Sequence, residues 1–131
     1  MRAREAFDYA VVRVVPHVER EEFVNAGVVV HCRARDFLGA RFALAEERLL
    51  ALAPDVDLES VRAHLEAFAR VCAGGPGAGA LGELSVTERF HWLTAPRSTV
   101  VQTSPVHVGL CQDPQAALER LVETVVLPPR P

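Results

Sequence analysis

The segment from residue 9 to residue 44 constrains the fold most strongly, because its apolar side chains recur at every second position. In its first part Ala10, Val12 and Val14 share this spacing, and in its second part the even positions from 24 to 32 are all small or apolar. Successive side chains of a β-strand point to opposite faces, so the spacing predicts strands that each have one apolar face. A turn at residues 33–36 then leads to a third strand. The segment therefore predicts an antiparallel β-meander.

The apolar faces also predict how the first two strands pair. Val12 and Val28 are expected on the same side of the sheet, because a shift of one residue would turn one apolar face to solvent. A hairpin closed over residues 16–21 satisfies this condition and brings Arg13 near Asn25. The opposite, mixed face is expected to carry Arg13, Asn25, His31 and Arg41.

Helix signals dominate the middle of the chain. Residues 46–52 are typical of a short helix that a proline ends. Asp57 is a good N-cap for a second helix, whose apolar residues recur at helical spacing as far as Cys72. Ser85 and Glu88 have the spacing of a capping box, which predicts the start of a third helix.

The last third of the chain predicts two strands and a final helix. The strands are expected at residues 99–102 and 106–111. Asp113 is placed as an N-cap, and Pro114 follows at the first helical position, where proline is well tolerated. The apolar side chains of the second strand are expected to face the core; they are Val106, Val108 and Leu110.

These elements predict the α+β class: a single domain over residues 1–131, with a mostly antiparallel sheet covered by helices. The sheet consists of the N-terminal β-meander and the C-terminal strands. Residues 73–82 contain five of the chain's eight glycines and are predicted to form a flexible Gly/Ala-rich internal loop. Their GxGxxG spacing lacks the preceding strand that a dinucleotide site needs. Residues 127–131 are a Pro-rich tail.

Composition excludes several classes of function. All fourteen basic residues are arginine, so the chain has no lysine for a P-loop or a Schiff base. The net charge of -3 argues against a protein that coats nucleic acid. No apolar run is long enough to cross a membrane, and the N-terminus lacks a signal-peptide pattern, which predicts a cytoplasmic protein. Three cysteines without CxxC spacing fit a reducing compartment.

The sequence predicts no metal, no cofactor and no identifiable catalytic residue. His31 and Cys32 are adjacent on a strand and point to opposite faces, so they cannot hold one ion together. The other histidines show no paired spacing. Cys32 and Cys72 fall on apolar faces, where cysteine is usually an inert small side chain.

One polar stretch does suggest a binding site. Residues 97–107 are rich in hydrogen-bond donors, and His107 alternates with two valines, which points it away from the core. Such a stretch can hold an anionic group, either a phosphate or the carboxylate of a partner. Ordinary turn chemistry is the alternative, with Arg97 paired to Glu22. Together with the mixed face of the meander, the predicted ligand- or partner-binding set is Arg13, Asn25, Arg97, Ser98, Gln102, Ser104 and His107.

Two blocks of sequence resemble a bacterial family, domain of unknown function 3037. The blocks are YAVVRVVPHVEREEFVNAGVVV, at residues 9–30, and HWLTAPRSTVVQTSPVHVGLCQDPQAALERL, at residues 91–121. The family has no established activity. The resemblance implies a small single-domain bacterial protein with a HipA-like kinase as its partner. It also implies these characteristic residues: Arg13, Glu22, Asn25, Gly27, Trp92, Arg97, Ser98, Gln102, Ser104 and His107.

Two classes of function remain open at this stage. The first is a non-catalytic interaction or regulatory module that acts with a HipA-like kinase. The second is a small enzyme or ligand-binding domain with an arginine-centred site for a phosphate or carboxylate. The chain lacks lysine, metal-ligand spacing and a recognisable pair of nucleophile and base, and these absences favour the first class over an enzyme.

Overall fold

A computed structural model of the protein describes residues 3–129. Within these residues, five strands form one antiparallel sheet: β1 (Glu5–Val14), β2 (Val24–Cys32), β3 (Phe37–Phe42), β4 (Val101–Thr103) and β5 (His107–Cys111). The strand order is β3-β2-β1-β4, and β5 pairs with the other half of the β1 edge that β4 occupies. The predicted α+β class, with a meander joined by two C-terminal strands, is confirmed.

Four α-helices accompany the sheet in this part of the chain: α1 (Glu46–Leu52), α2 (Leu58–Ala73), α3 (Val86–Thr94) and α4 (Pro114–Leu121). A wider π-helical turn, Val122–Val126, continues α4. The predicted caps are present. Asp57 accepts a hydrogen bond from the backbone of Ser60, and Ser85 and Glu88 form a complete capping box. Because the first N–H groups of a helix have no partner within it, these side chains fix where α2 and α3 begin.

Helices cover both faces of the sheet. On one face, which we call the α2 face, α1, α2 and α3 pack over a core that includes Val12 and Val29. On the other, the α4 face, α4 and its π-helical turn pack over Phe7, Val28 and Val30. The sheet therefore has apolar residues on both sides, and the protein has two cores.

The predicted register is wrong beyond Ala26. Arg13 pairs with Asn25 as expected, but Val12 pairs with Gly27, which leaves Ala26 as an extra residue in β2. Such a β-bulge reverses the side on which each following side chain lies. Val12 and Val28 consequently belong to the cores on opposite faces.

The residues expected in one core are buried but divided between two. Those on the α2 face are Ala10, Val12, Val14, Val24 and Ala26, and those on the α4 face are Val28 and Val30. The mixed face is divided in the same way. Arg13 and Asn25 precede the shift and stay together on the α4 face, where Arg41 also contacts α4 through Glu119. His31 follows the shift and stacks on Phe90 of α3, on the α2 face.

The side chains expected to face the core from β5 are exposed instead. Val106, Val108 and Leu110 have exposed fractions of 45%, 72% and 62%. Val108 and Leu110 share one face of β5, as their alternation predicts, and Val106 directly precedes the strand. The exposure of all three shows that no helix of the described residues covers them. Alternation determines which side chains lie together, and it does not determine whether a helix covers them.

The glycine-rich segment contains two short 3-10 turns within Pro76–Glu83 that meet at Gly79. The backbone N–H of Gly75 donates to the carbonyl of Gly82 at 3.1 Å. A Cβ on Gly82 would lie 1.8 Å from the carbonyl oxygen of Gly75, so only glycine fits there. Helix α2 precedes the segment, unlike the strand that a dinucleotide site requires. The mobility of the Gly/Ala-rich segment stays a prediction. Of the Pro-rich tail, residues 130 and 131 lie outside the described residues.

No helix in residues 3–129 combines the length and the apolar character needed to span a membrane.

Replacing Gly27 by alanine tests the close packing of β2 against β3 beside the bulge. The new Cβ would lie 2.6 Å from the backbone oxygen of Arg41 and 2.6 Å from Cδ1 of Phe42, and the backbone atom cannot rotate away. We expect Gly27→Ala to lower the free energy of unfolding by about 1–3 kcal/mol, as overpacking usually does. Gly77→Ala is the matched control, because its Cβ would meet only Arg70 Cδ at 3.9 Å. Urea denaturation measures both, and equal stability of the two variants would contradict the close approach of β2 to β3.

Candidate functional site

Three polar side chains stand in a row across β2, β1 and β4. Arg13 pairs with Asn25 on one side and with Gln102 on the other. Directly paired residues of a sheet point to the same face, so the three lie side by side on the α4 face. We call Asn25, Arg13 and Gln102 the polar row. The row brings together one part of the binding set predicted from the sequence.

Arg13 lies at the centre of this row and is half-buried. Its guanidinium carbon is 4.1 Å from the centre of the Phe23 ring, a cation–π contact. Within residues 3–129 its side chain makes no ion pair and no hydrogen bond, and its Nε atom is buried without a partner. Asn25 is held differently: its Nδ2 donates to the carbonyl of Val125 at 3.0 Å, while its Oδ1 is buried without a partner in the described part of the chain.

A cavity of about 340 Å³ adjoins the polar row. Arg13 contributes a polar group to its wall, as do Ser98 and Gln102 of the predicted donor-rich stretch. The remaining lining residues are Val15, Val18, Glu21 and Phe23. The cavity thus combines a cation, a carboxylate, two neutral polar side chains and an apolar wall.

Arg97 lies apart from this cavity, at the end of α3. Its guanidinium carbon is 4.5 Å from the centre of the Trp92 ring, and it donates to the carbonyls of Trp92 and Ala95. The ion pair with Glu22 that ordinary turn chemistry suggested is not formed, because Glu22 pairs with Arg20. Arg97 lines a second cleft, of about 200 Å³, between α2 and α3.

Ser104 is buried in the joint between β4 and β5. Its hydroxyl accepts a hydrogen bond from the backbone N–H of Val11 at 2.8 Å and donates to the carbonyl of Pro105 at 2.9 Å. Its own N–H donates to the Val11 carbonyl at 2.8 Å. The side chain therefore continues the hydrogen bonding of the sheet where the strand is interrupted, which is a structural task.

His107 is exposed on β5 and packs against Tyr9, with ring centres 5.2 Å apart. Tyr9 precedes Arg13 by four residues of strand, which is roughly 13 Å. The predicted set therefore does not converge on one patch. Arg13, Asn25, Ser98 and Gln102 come together, Arg97 and Ser104 line a separate pocket of about 390 Å³ that Gln102 also reaches, and His107 lies elsewhere.

Sequence reasoning missed a chain of polar side chains around a buried histidine on the α2 face. The Nδ1 atom of His31 is 3.2 Å from Oδ2 of Asp8, and its Nε2 is 2.9 Å from Oγ1 of Thr87. The order of acid, imidazole and hydroxyl matches that of a hydrolase triad. The ring is only 3% exposed and lies under Phe90 at 4.9 Å, so this chain braces α3 against the sheet. The bulge, which no local signal indicated, placed His31 there.

Sequence reasoning also missed an exposed apolar surface, which we call the β5 stripe: Val106, Val108 and Leu110. The alternating apolar pattern that reveals this surface is also typical of a core strand, so it predicts that these side chains are buried. In the described structure β5 pairs with β1 alone, so its outer edge is open. A groove of about 430 Å³ continues from Leu110 past the start of α4, where Arg4 and Arg120 line it.

Metal and thiol chemistry find little support in the geometry. Across residues 3–129, no three His, Cys, Asp or Glu side chains are grouped so that they could hold a metal ion. Cys32, Cys72 and Cys111 are free and buried. Burial raises the pKa of Cys72 to about 11, so its thiol stays protonated near neutral pH.

The fold and these surfaces define a small α+β protein whose sheet has helices on both faces and an apolar, unpaired edge strand at β5. The chain belongs to the family described as "Protein of unknown function (DUF3037)", whose family model matches residues 9–126. The resemblance drawn from the two sequence blocks is thereby confirmed. No curated protein and no solved structure matches the chain.

Replacing Ser104 by alanine distinguishes a structural role from a ligand contact. The Val11 N–H would lose its buried acceptor, so we expect Ser104→Ala to lower the free energy of unfolding by about 1–3 kcal/mol. Ser98→Ala, the same change at an exposed position of the same stretch, should stay within about 0.5 kcal/mol of the parent protein. Chemical denaturation compares the two. An unchanged stability of Ser104→Ala would rule out the structural role.

Proposed function

We propose that this protein is a non-catalytic interaction module that binds a partner protein along the open edge of its sheet at β5. The observation that carries the proposal is the β5 stripe. Val108, the most exposed of its three residues, has an exposed fraction of 72%. Apolar side chains are common on protein surfaces, but a contiguous row of them on an uncovered sheet face is typical of an interaction site.

The open edge of β5 supports the same proposal. Natural proteins protect such edges with lysine, proline or a bulge, because unpaired N–H and C=O groups attract other strands. His107–Cys111 contains none of these protective residues, and its pairing with β1 is regular. An extended segment of a partner would take up the free hydrogen-bonding groups and cover the stripe with its own side chains.

The charges beside the stripe favour a particular kind of segment. Arg4 and Arg120 line the groove at the end of β5 together with one acidic residue, Asp113, and neither arginine forms an ion pair within the part of the chain that the structure describes. A segment that fits this surface has apolar side chains along the stripe and an acidic residue where it reaches the two arginines. Complementary charges of this kind determine the orientation of the partner and speed its association.

The sequence resemblance supports a HipA-like kinase as the partner. Such a pairing makes this protein a regulatory module of the bacterial cytoplasm, which is consistent with its three free cysteines. Catalysis would then belong to the kinase. A ligand-binding role centred on an arginine involves a different surface, the cavity beside the polar row.

The double variant Val108→Thr/Leu110→Thr tests the proposal. Threonine preserves strand formation and removes most of the apolar contact, so affinity for the purified kinase should fall by about tenfold or more. Leu50→Thr is the matched control, because Leu50 is exposed on α1, away from β5, and its replacement should leave binding unchanged. Biolayer interferometry measures binding, and denaturation curves check that all variants are folded.

A second pair of variants tests the charge argument. Arg120→Gln should weaken binding at low ionic strength and have less effect at high salt, whereas Arg48→Gln, exposed on α1, should not. The proposal is overturned if the kinase does not bind the parent protein, or if it binds the double variant equally well. A dimer of the protein alone that dissociates in the double variant would also overturn it, because a second copy would then occupy the edge.

A further inference from the structure

We infer that the cavity beside the polar row binds a monocarboxylate with an apolar body, held by Arg13. This site lies on the α4 face and does not depend on the β5 stripe. It assigns the protein a ligand in addition to its proposed partner.

Arg13 differs from the other half-buried arginines in its hydrogen bonding. Three arginines in residues 3–129 are half-buried, namely Arg13, Arg89 and Arg97. Arg89 donates to the carbonyls of Leu84 and Cys72, and Arg97 donates to those of Trp92 and Ala95. Arg13 has no acceptor within those residues.

The buried Nε–H of Arg13 needs an acceptor, because burying an unpaired polar group costs free energy that a hydrogen bond or a counter-charge must offset. Arg13 Nε is buried without an acceptor among the described residues; Arg89 Nε shares this lack, but the terminal nitrogens of Arg89 have acceptors and those of Arg13 have none. The contact with Phe23 fixes the position of the guanidinium but occupies only one of its faces. Its edge, which carries the N–H donors, stays free for an anion.

The lining of the cavity selects the type of anion. The planar guanidinium matches a carboxylate with two parallel hydrogen bonds, and the hydroxyl of Ser98, which has no hydrogen-bond partner in the described structure, can supply a further donor. Glu21 lines the same cavity, and its negative charge repels a doubly charged phosphate more strongly than a singly charged carboxylate.

The apolar part of the cavity wall determines which chemical group the ligand carries beside its carboxylate. Val15, Val18 and Phe23 form this wall, and a volume of about 340 Å³ lies at the lower end of the range for small-molecule sites. An aromatic or aliphatic group of modest size fits such a space.

The test uses 3-phenylpropanoate as the probe, with 3-phenylpropan-1-ol as its uncharged analogue and inorganic phosphate as the anion without an apolar body. Titrations of the full chain followed by amide NMR should show saturable shifts around Arg13, Phe23 and Ser98 for the carboxylate. The alcohol and phosphate should bind about tenfold more weakly or not at all.

Arg13→Gln should weaken binding of the carboxylate by about tenfold or more, because it removes the charge while keeping a polar side chain. Arg97→Gln is the matched control: this arginine also stacks on an aromatic ring but lies outside the cavity, so affinity should be unchanged. Glu21→Gln leaves Arg13 in place and should raise the affinity for phosphate, which keeps the inference testable if Arg13→Gln does not fold. The β5 double variant should bind the probe as the parent protein does.

A short peptide that ends in phenylalanine, with a free or an amidated C-terminus, identifies the source of the carboxylate. Tighter binding of the free peptide than of 3-phenylpropanoate would point to a protein C-terminus, and weaker binding to a free acid. The inference is wrong if the alcohol binds as well as the carboxylate, if phosphate binds more tightly, or if Arg13→Gln leaves the affinity unchanged.

Discussion

The extra residue at Ala26 in the pairing of β1 with β2 is the constraint on which the rest of the structure depends. Side chains alternate with a period of two, so one unpaired residue sends every later side chain of β2 to the other face. Val28 and Val30 turn to α4 as a result, while Val29 turns to α2. Each helical layer finds an apolar surface on its own side, and the single sheet supports two cores.

The same shift determines where the polar groups lie. Asn25 precedes the bulge and stays beside Arg13, where its amide holds the π-helical turn after α4 through Val125. His31 follows the bulge and is enclosed between Asp8 and Thr87, beneath α3. One irregularity in the strand thus separates a satisfied polar chain that braces the fold from a polar row that retains unsatisfied groups.

Two surfaces of the described structure leave a physical requirement that the chain itself does not meet. The β5 stripe exposes apolar area and an unpaired strand edge, which together suit an extended segment of another protein. The polar row leaves the charge of Arg13 without an acceptor, which suits a small anion. The requirements differ in kind and lie at different places on the sheet, so the two proposed ligands can bind independently.

Local chemistry let the sequence by itself determine the α+β class, the family and most element boundaries. A cap such as Asp57 or Ser85 acts within one turn of helix, and strand alternation is visible over a few residues. Only the tertiary structure decided the register beyond Ala26, the exposure of β5 and the separation of Arg97 from Arg13. Val28, Val29 and Val30 are equally apolar, so either face could accept them, and the helices packed on the sheet decide between two registers that the sequence pattern does not distinguish.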